Sequence, residues 1–230
     1  MRNEISFYQF FISLAMGIYS FIMIVYFELY YFKLRQFLFM TNWNFYISTI
    51  YLIGLSICDF SSYVFKSKKL EKLNKLFREN LSPAFTALTY LVTFTFWVMI
   101  YPVILKRGDK NFGISAYINI YVHLILTIMQ TIDIFLSYRK KKGILIKYDF
   151  LVASFIIWIY SILVLILVFI FDFPIYPFLD NMTLIKAFFE IILFQSMIFI
   201  FYLIHVGLIK LKYILKIFIV IDDTKKEKLK

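Results

Sequence analysis

Polar and ionisable side chains stand at intervals inside the long apolar runs of this chain: Glu28, Thr41, Asn42, Asn44, Asp59, His123, Asp133, Glu190 and His205. Such groups are costly at membrane depth unless paired or hydrated, so each is a functional candidate. His123 has only apolar and hydroxyl neighbours in sequence. A neutral imidazole there has a modest burial cost and can take a proton from a hydroxyl, which is the chemistry of a general base. The other reading is a structural histidine bonded to a neighbouring helix. Thr41 alone says less, because a threonine in a membrane helix usually bonds back to the carbonyl four residues earlier. Glu190 and His205 stand about 22 Å apart along one helix and cannot work as an acid–base pair. Glu28, Asp59 and Asp133 lie near the ends of their runs and read as interfacial carboxylates, hydrated or paired with a loop lysine.

The elements that carry these residues follow from composition. Of 230 residues, 62% are hydrophobic and 22% aromatic, more apolar surface than one soluble core of this size can hide. Six runs are long enough to span a hydrocarbon layer of ~30 Å: roughly 7–32, 36–65, 82–105, 112–138, 148–171 and 182–209. They are continuous rather than alternating, and a spanning segment must satisfy its own backbone groups, so helices are expected over barrel strands. The expectation is an all-α integral membrane protein, a bundle of six transmembrane helices forming one domain over 1–230, with 210–230 as a basic tail. The first run is too long for a removable signal peptide and lacks a small-residue cleavage pattern.

The net charge of +11 falls in the gaps between runs, as topology signals do, and not on a nucleic-acid-binding face. Lys and Arg concentrate in loops 66–80 and 139–147 and in the tail, which an even number of spans puts on one side together with the N-terminus. Both termini are therefore expected in the cytosol. The single cysteine, Cys58, excludes an internal disulfide and a cysteine-ligated metal site. There is no phosphate-binding glycine loop, HExxH or internal repeat. Lys226 and Lys228 in the terminal KEKLK resemble a dilysine retrieval signal. The expected location is the endoplasmic reticulum or another endomembrane, with the plasma membrane as the alternative. A basic tail held near anionic lipid gives the same pattern.

The segment FLFMTNWNFYISTIYLIGLSICDFSS resembles the second-helix segment of the androgen-induced and androgen-dependent TFPI-regulating membrane proteins, the FAR-17a family. The matching positions are Thr41, Asn44, Cys58, Asp59 and Ser61. The order of later landmarks agrees: Arg78 with Glu79, Phe96 with Trp97, Asn119 with His123 and Asp133, then Tyr176, Pro177 and Leu179. Departures fall at Ile120, Leu124 and Ser48, where the family pattern has polar residues.

The resemblance implies an intramembrane threonine hydrolase that cleaves esters joining a fatty acid to the hydroxyl of a hydroxy fatty acid. It makes Thr41 the nucleophile and His123 the base, with a lipid ester as substrate, membrane lipids as surroundings, and no metal or organic cofactor. Asn44, three residues on from Thr41, shares its helix face and is the candidate oxyanion donor or orienter, with an interhelical hydrogen bond as the other reading. Trp43 points about 200° away from Thr41 and suits an interfacial belt. From boundaries near Arg35 and Ser115, Thr41 lies about 9 Å and His123 about 12 Å along their helices; a start near Asn111 puts His123 about 18 Å along. Two alternatives are a catalytically inactive lipid-binding protein of the same fold and a small transporter. The latter lacks the broken helix pair that such proteins use.

Overall fold

The computed structural model describes residues 7–31, 38–65, 68–102, 115–136, 146–173, 175–176, 179 and 182–214, and these contain helices and turns but no strand. In chain order they form α1 (Phe7–Tyr31), α2 (Met40–Phe65), α3 (Lys68–Leu76), α4 (Ser82–Thr95), α5 (Ser115–Ile120), α6 (Leu126–Leu136), α7 (Ile146–Phe169) and α8 (Leu184–Ile214). Single π-helical turns join α3 to α4 (Phe77–Leu81), extend α4 (Phe96–Ile100) and join α5 to α6 (Tyr121–Ile125). Six helical stretches are long and apolar enough to cross a membrane: Gln9–Leu29, Met40–Phe65, Ser82–Ile100, Ile118–Phe135, Phe150–Phe169 and Leu184–Ile214. The chain is a multi-pass membrane protein.

Three details differ from the sequence expectation. The stretch 66–80 is not a plain loop, because α3 and a π turn occupy most of it. Its sequence KKLEKLNKL alternates good helix formers with leucines at helical spacing. The second helix begins at Met40 rather than near 36. Before it, the Phe39 carbonyl accepts the N–H groups of Asn42 at 3.0 Å and Trp43 at 3.4 Å; positions 36 and 37 lie outside the described residues. The last helix continues to Ile214, and near its end Lys212 Nζ donates to the Ile134 carbonyl at 3.2 Å.

α4 occupies the centre, touching α2, α6, α7 and α8, while α1 lies along α2. Two apolar clusters result. One gathers Met16, Met23 and Phe27 of α1, Phe45, Tyr51, Leu52 and Leu55 of α2, and Tyr121, Val122 and Leu126 around the α5–α6 junction. The other gathers Met40 of α2, Ala84, Ala87, Leu88 and Leu91 of α4, Ala153, Ile157 and Tyr160 of α7, and Ile198 and Tyr202 of α8. Helix α2 contributes to both, so its remaining face, which carries Asn44 and Ser48, is held between them against α4.

The α1–α2 contact depends on a small residue. A Cβ at Gly17 would clash with both Cβ and Oγ of Ser56, so the two backbones approach as closely as they do only because Gly17 has no side chain. Gly17→Ala is expected to lower stability in detergent by about 1–3 kcal/mol through overpacking. Adding Ser56→Gly to that variant is expected to restore most of the loss, as thermal unfolding of the single and double variants would show.

Candidate active site

The start of α2 is held by two tyrosines from elsewhere in the chain. Tyr160 of α7 donates to the Leu38 carbonyl at 3.0 Å and approaches the Tyr176 hydroxyl at 3.2 Å. Tyr176, in the connection between α7 and α8, accepts the Met40 N–H at 3.2 Å and shares a hydrogen bond with the Thr41 side chain. Its ring lies edge-on to Phe39, with centroids 5.8 Å apart. Ile175 and Leu179 beside it are buried, which ties this connection to the bundle. Thr41 is half-buried in the first turn of α2, at the positive end of the helix dipole. Trp43, two residues on and partly buried, packs against the second apolar cluster, edge-on to Tyr160.

One turn further along α2, Asn44 is fully buried. Its Oδ1 accepts from Ser48 Oγ at 3.1 Å and from Thr89 Oγ1 of α4 at 2.9 Å. Thr89 Oγ1 in turn accepts from Gln130 Nε2 of α6 at 3.0 Å. Three helices are thus pinned at one level by an interhelical polar network. The Asn44 Nδ2 is buried with no hydrogen-bond partner, an uncommon state for such a group. The oxygen makes the interhelical hydrogen bond that was one of the two sequence readings, and the nitrogen keeps its donors unpaired.

His123 sits in the middle of the π turn Tyr121–Ile125, 2% exposed. Its ring lies flat on Phe96, with centroids 3.6 Å apart and planes 6° from parallel. Phe96 opens the π turn Phe96–Ile100, and the next residue, Trp97, donates its Nε1–H to the His123 carbonyl at 3.2 Å. Two π turns from different spans therefore meet at this imidazole, and such turns occur often at functional sites. The Nδ1 of His123 is buried and has no hydrogen-bond partner. Ile120 and Leu124, where family members have polar residues, are 42% and 41% exposed on the outside of the bundle, so neither belongs to the surroundings of the ring.

The polar network supplies a common level for comparing helices. Thr41 lies three residues from Asn44, about 4.5 Å toward the end where α2 begins; His123 lies seven residues from Gln130, about 10 Å toward the same end. Phe96, seven residues beyond Thr89 on the oppositely directed α4, reaches the level of His123 independently. The two residues thus stand about one helical turn apart along the bundle, with His123 nearer the end. The sequence estimate, which counts from assumed helix boundaries near Arg35 and Ser115 and not from a shared contact, has Thr41 nearer the end instead. The Thr41 hydroxyl is engaged by Tyr176 and is not bonded to the open His123 Nδ1.

A second polar cluster lies near the opposite end of α2. Arg78, 4% exposed in the π turn before α4, bonds through separate nitrogens to Asp59 of α2 and Asp133 of α6. Its Nε donates to Asn74 of α3 at 2.9 Å, while Asn74 Nδ2 donates to Asp59. Tyr51 donates to Asp133 at 3.4 Å. Asp59 and Asp133 are therefore not hydrated interfacial groups paired with lysine; both are buried on one arginine. Burial pushes the guanidinium pKa down, but Asp133, Asp59 and Tyr51 outweigh it and hold the group above its ordinary range.

The end where α2 begins combines a hydroxyl at a helix N-terminus, a buried imidazole with an open nitrogen, an unpaired amide N–H and a phenol. That set suits acyl transfer through a hydroxyl nucleophile. Among the described residues no group of three or more His, Cys, Asp or Glu could hold a metal ion. The two tyrosines were not identified from sequence as site residues. Their only signal was the Tyr176, Pro177, Leu179 landmark. The model of the FAR-17a/AIG1-like protein family matches residues 7–212, nearly the whole described bundle. No curated protein and no solved structure matches the chain.

Proposed function

The chain belongs to the FAR-17a/AIG1-like family, and from that premise we propose that it is an intramembrane hydrolase of lipid esters, specifically fatty acid esters of hydroxy fatty acids. Thr41 is the nucleophile, His123 the general base and Asn44 an oxyanion donor. The observation that carries most weight is the buried Nδ1 of His123, which has no hydrogen-bond partner. A histidine kept only for structure would use its ring nitrogens to join helices, whereas a base needs one open to receive a proton. The outward direction of Ile120 and Leu124 further supports an intact site.

In this reaction the Thr41 hydroxyl passes its proton to His123 as its oxygen bonds the ester carbon, and the carbonyl electron pair moves onto oxygen. The resulting oxyanion accepts a hydrogen bond from Asn44 Nδ2 and lies toward the positive end of the α2 dipole. Collapse breaks the bond to the hydroxy fatty acid, whose alkoxide takes the proton from His123. Water, deprotonated by the same imidazole, then adds to the acyl carbon, and the bond to the Thr41 oxygen breaks as that oxygen takes the proton back from His123. The acyl chains lie among apolar helices. Positive charge in the termini and two loops supports cytosolic termini, and the KEKLK tail supports the endoplasmic reticulum.

Purified protein in detergent–lipid micelles is expected to release free fatty acid from a branched fatty ester. Thr41→Ala, folded to the same extent, should fall to background, and mass spectrometry of the quenched wild type should find an acyl group on Thr41. Equal release by both proteins, or an acyl adduct elsewhere only, would overturn the assignment.

A further inference from the structure

Helix α3 occupies most of the connection between the second and third spans, and one side of it is held inside the bundle. On that side Asn74 is buried, accepts from Arg78 Nε at 2.9 Å and donates to Asp59. Nearly opposite stand Lys69, Lys72, Leu73 and Leu76, spaced i, i+3, i+4 and i+7, which puts all four on one face of the helix. All four are exposed. The helix carries four lysines against one glutamate, so this outer face combines apolar surface with positive charge.

The level at which α3 lies follows from its partner. Asp59 is six residues before Phe65, the last residue of α2, so the Asn74–Asp59 bond holds this part of α3 about 9 Å back from the end of that helix. Along the same stretch α2 turns Phe60, Val64 and Phe65 outward and exposed. Large apolar side chains in a row on the outside of a spanning helix mark a level covered by lipid. The outer face of α3 therefore meets the membrane boundary, where leucines lie beside acyl chains and lysine stems carry their ammonium groups out to the phosphates.

We propose that this face of α3 is a docking surface for anionic phospholipid headgroups, with Lys69 and Lys72 binding the headgroup and Leu73 and Leu76 seated at the acyl boundary. The inference is independent of the hydrolase reading. The charge distribution that supports cytosolic termini puts α3 on the cytosolic side, where anionic lipid concentrates. Because α3 is bonded through Asn74 to Asp59 and Arg78, lipid on its outer face also steadies the segment that carries the buried arginine.

The test places a bimane fluorophore, itself apolar, at Leu76→Cys in a Cys58→Ser background, in nanodiscs with equal amounts of phosphatidylserine and phosphatidylcholine. Bromine on the chains of one lipid or the other reports which lies at α3. Brominated phosphatidylserine is expected to quench more strongly, with an enrichment of about 5-fold for each lysine. Lys69→Gln with Lys72→Gln should bring the two quenching levels together, and so should high salt. Lys226→Gln with Lys228→Gln should leave the preference intact, which separates α3 from the basic tail. Equal quenching by the two lipids in the reporter protein overturns the proposal, as does a preference that survives in the Lys69, Lys72 double variant or is lost in the tail variant. Absence of quenching by either lipid would show that α3 stands away from the bilayer, and overturns it as well.

Discussion

Arg78→Ala is expected to lose most of its folded yield, with stability lowered by about 3–5 kcal/mol. The arginine bonds both Asp59 and Asp133, and the two carboxylates are 0% and 2% exposed. Removing the guanidinium leaves two buried carboxylates without the cation they share, together with the Asn74 oxygen that accepts from its Nε. Arg78→Lys keeps the charge but not the fork that reaches two carboxylates and Asn74 at once, so it should recover only part of the loss. Replacing the whole ionic set, with Arg78→Leu, Asp59→Asn and Asp133→Asn combined, should be less damaging than Arg78→Ala alone, because no buried charge is then left unpaired. Thermal unfolding followed by fluorescence-detected size exclusion would separate these cases. An Arg78→Ala protein that melts with the wild type would show that the cluster contributes nothing.

The second large effect concerns the base. His123→Ala is expected to lower kcat for ester hydrolysis by about 100- to 10,000-fold, the usual range for losing a general base, while KM changes little. The ring lies flat on Phe96 and is 2% exposed, so its removal leaves a flat, imidazole-shaped space with one aromatic wall. Added imidazole should enter that space and restore part of the rate, since the nucleophile and the α2 turn are unaffected. Restoration by imidazole that is absent in Thr41→Ala would tie the two residues to one reaction. A rate loss that merely tracks the loss of folded protein, with no recovery on adding imidazole, would assign His123 to packing alone.

The number of spans was legible because the apolar runs are long and continuous, and length against bilayer thickness decides that question with little help from packing. The site was legible only in part. Thr41, Asn44 and His123 were visible as polar groups in apolar runs, but only the resemblance to the FAR-17a family singled them out together as a candidate site. Tyr176 was not visible in this way, being one of 18 tyrosines in a connection whose approach to α2 is a matter of folding. Arg78 was hidden differently, among lysines counted as a topology signal. Its spacing of four from Asn74 places both on one helix face, but nothing in the sequence says that this face turns inward to meet Asp59 and Asp133. The π turns also left no mark. A regular α-helix would put Ile120, three residues before His123, on the same face, yet it points outward.

Those turns bear on how the chain tolerates changes of length. Each holds one residue more than a regular turn needs, so a deletion of one residue within Phe77–Leu81, Phe96–Ile100 or Tyr121–Ile125 could be absorbed as ordinary α-helix. The span would survive with its two flanks nearly in register, but the side chains within the turn itself would rotate on the helix surface. In the last of these turns, that rotation would turn the imidazole away from Phe96. Codon loss there would yield an inserted, full-length-looking membrane protein with its chemistry misaligned, a kind of silent inactivation that expression level alone would not detect.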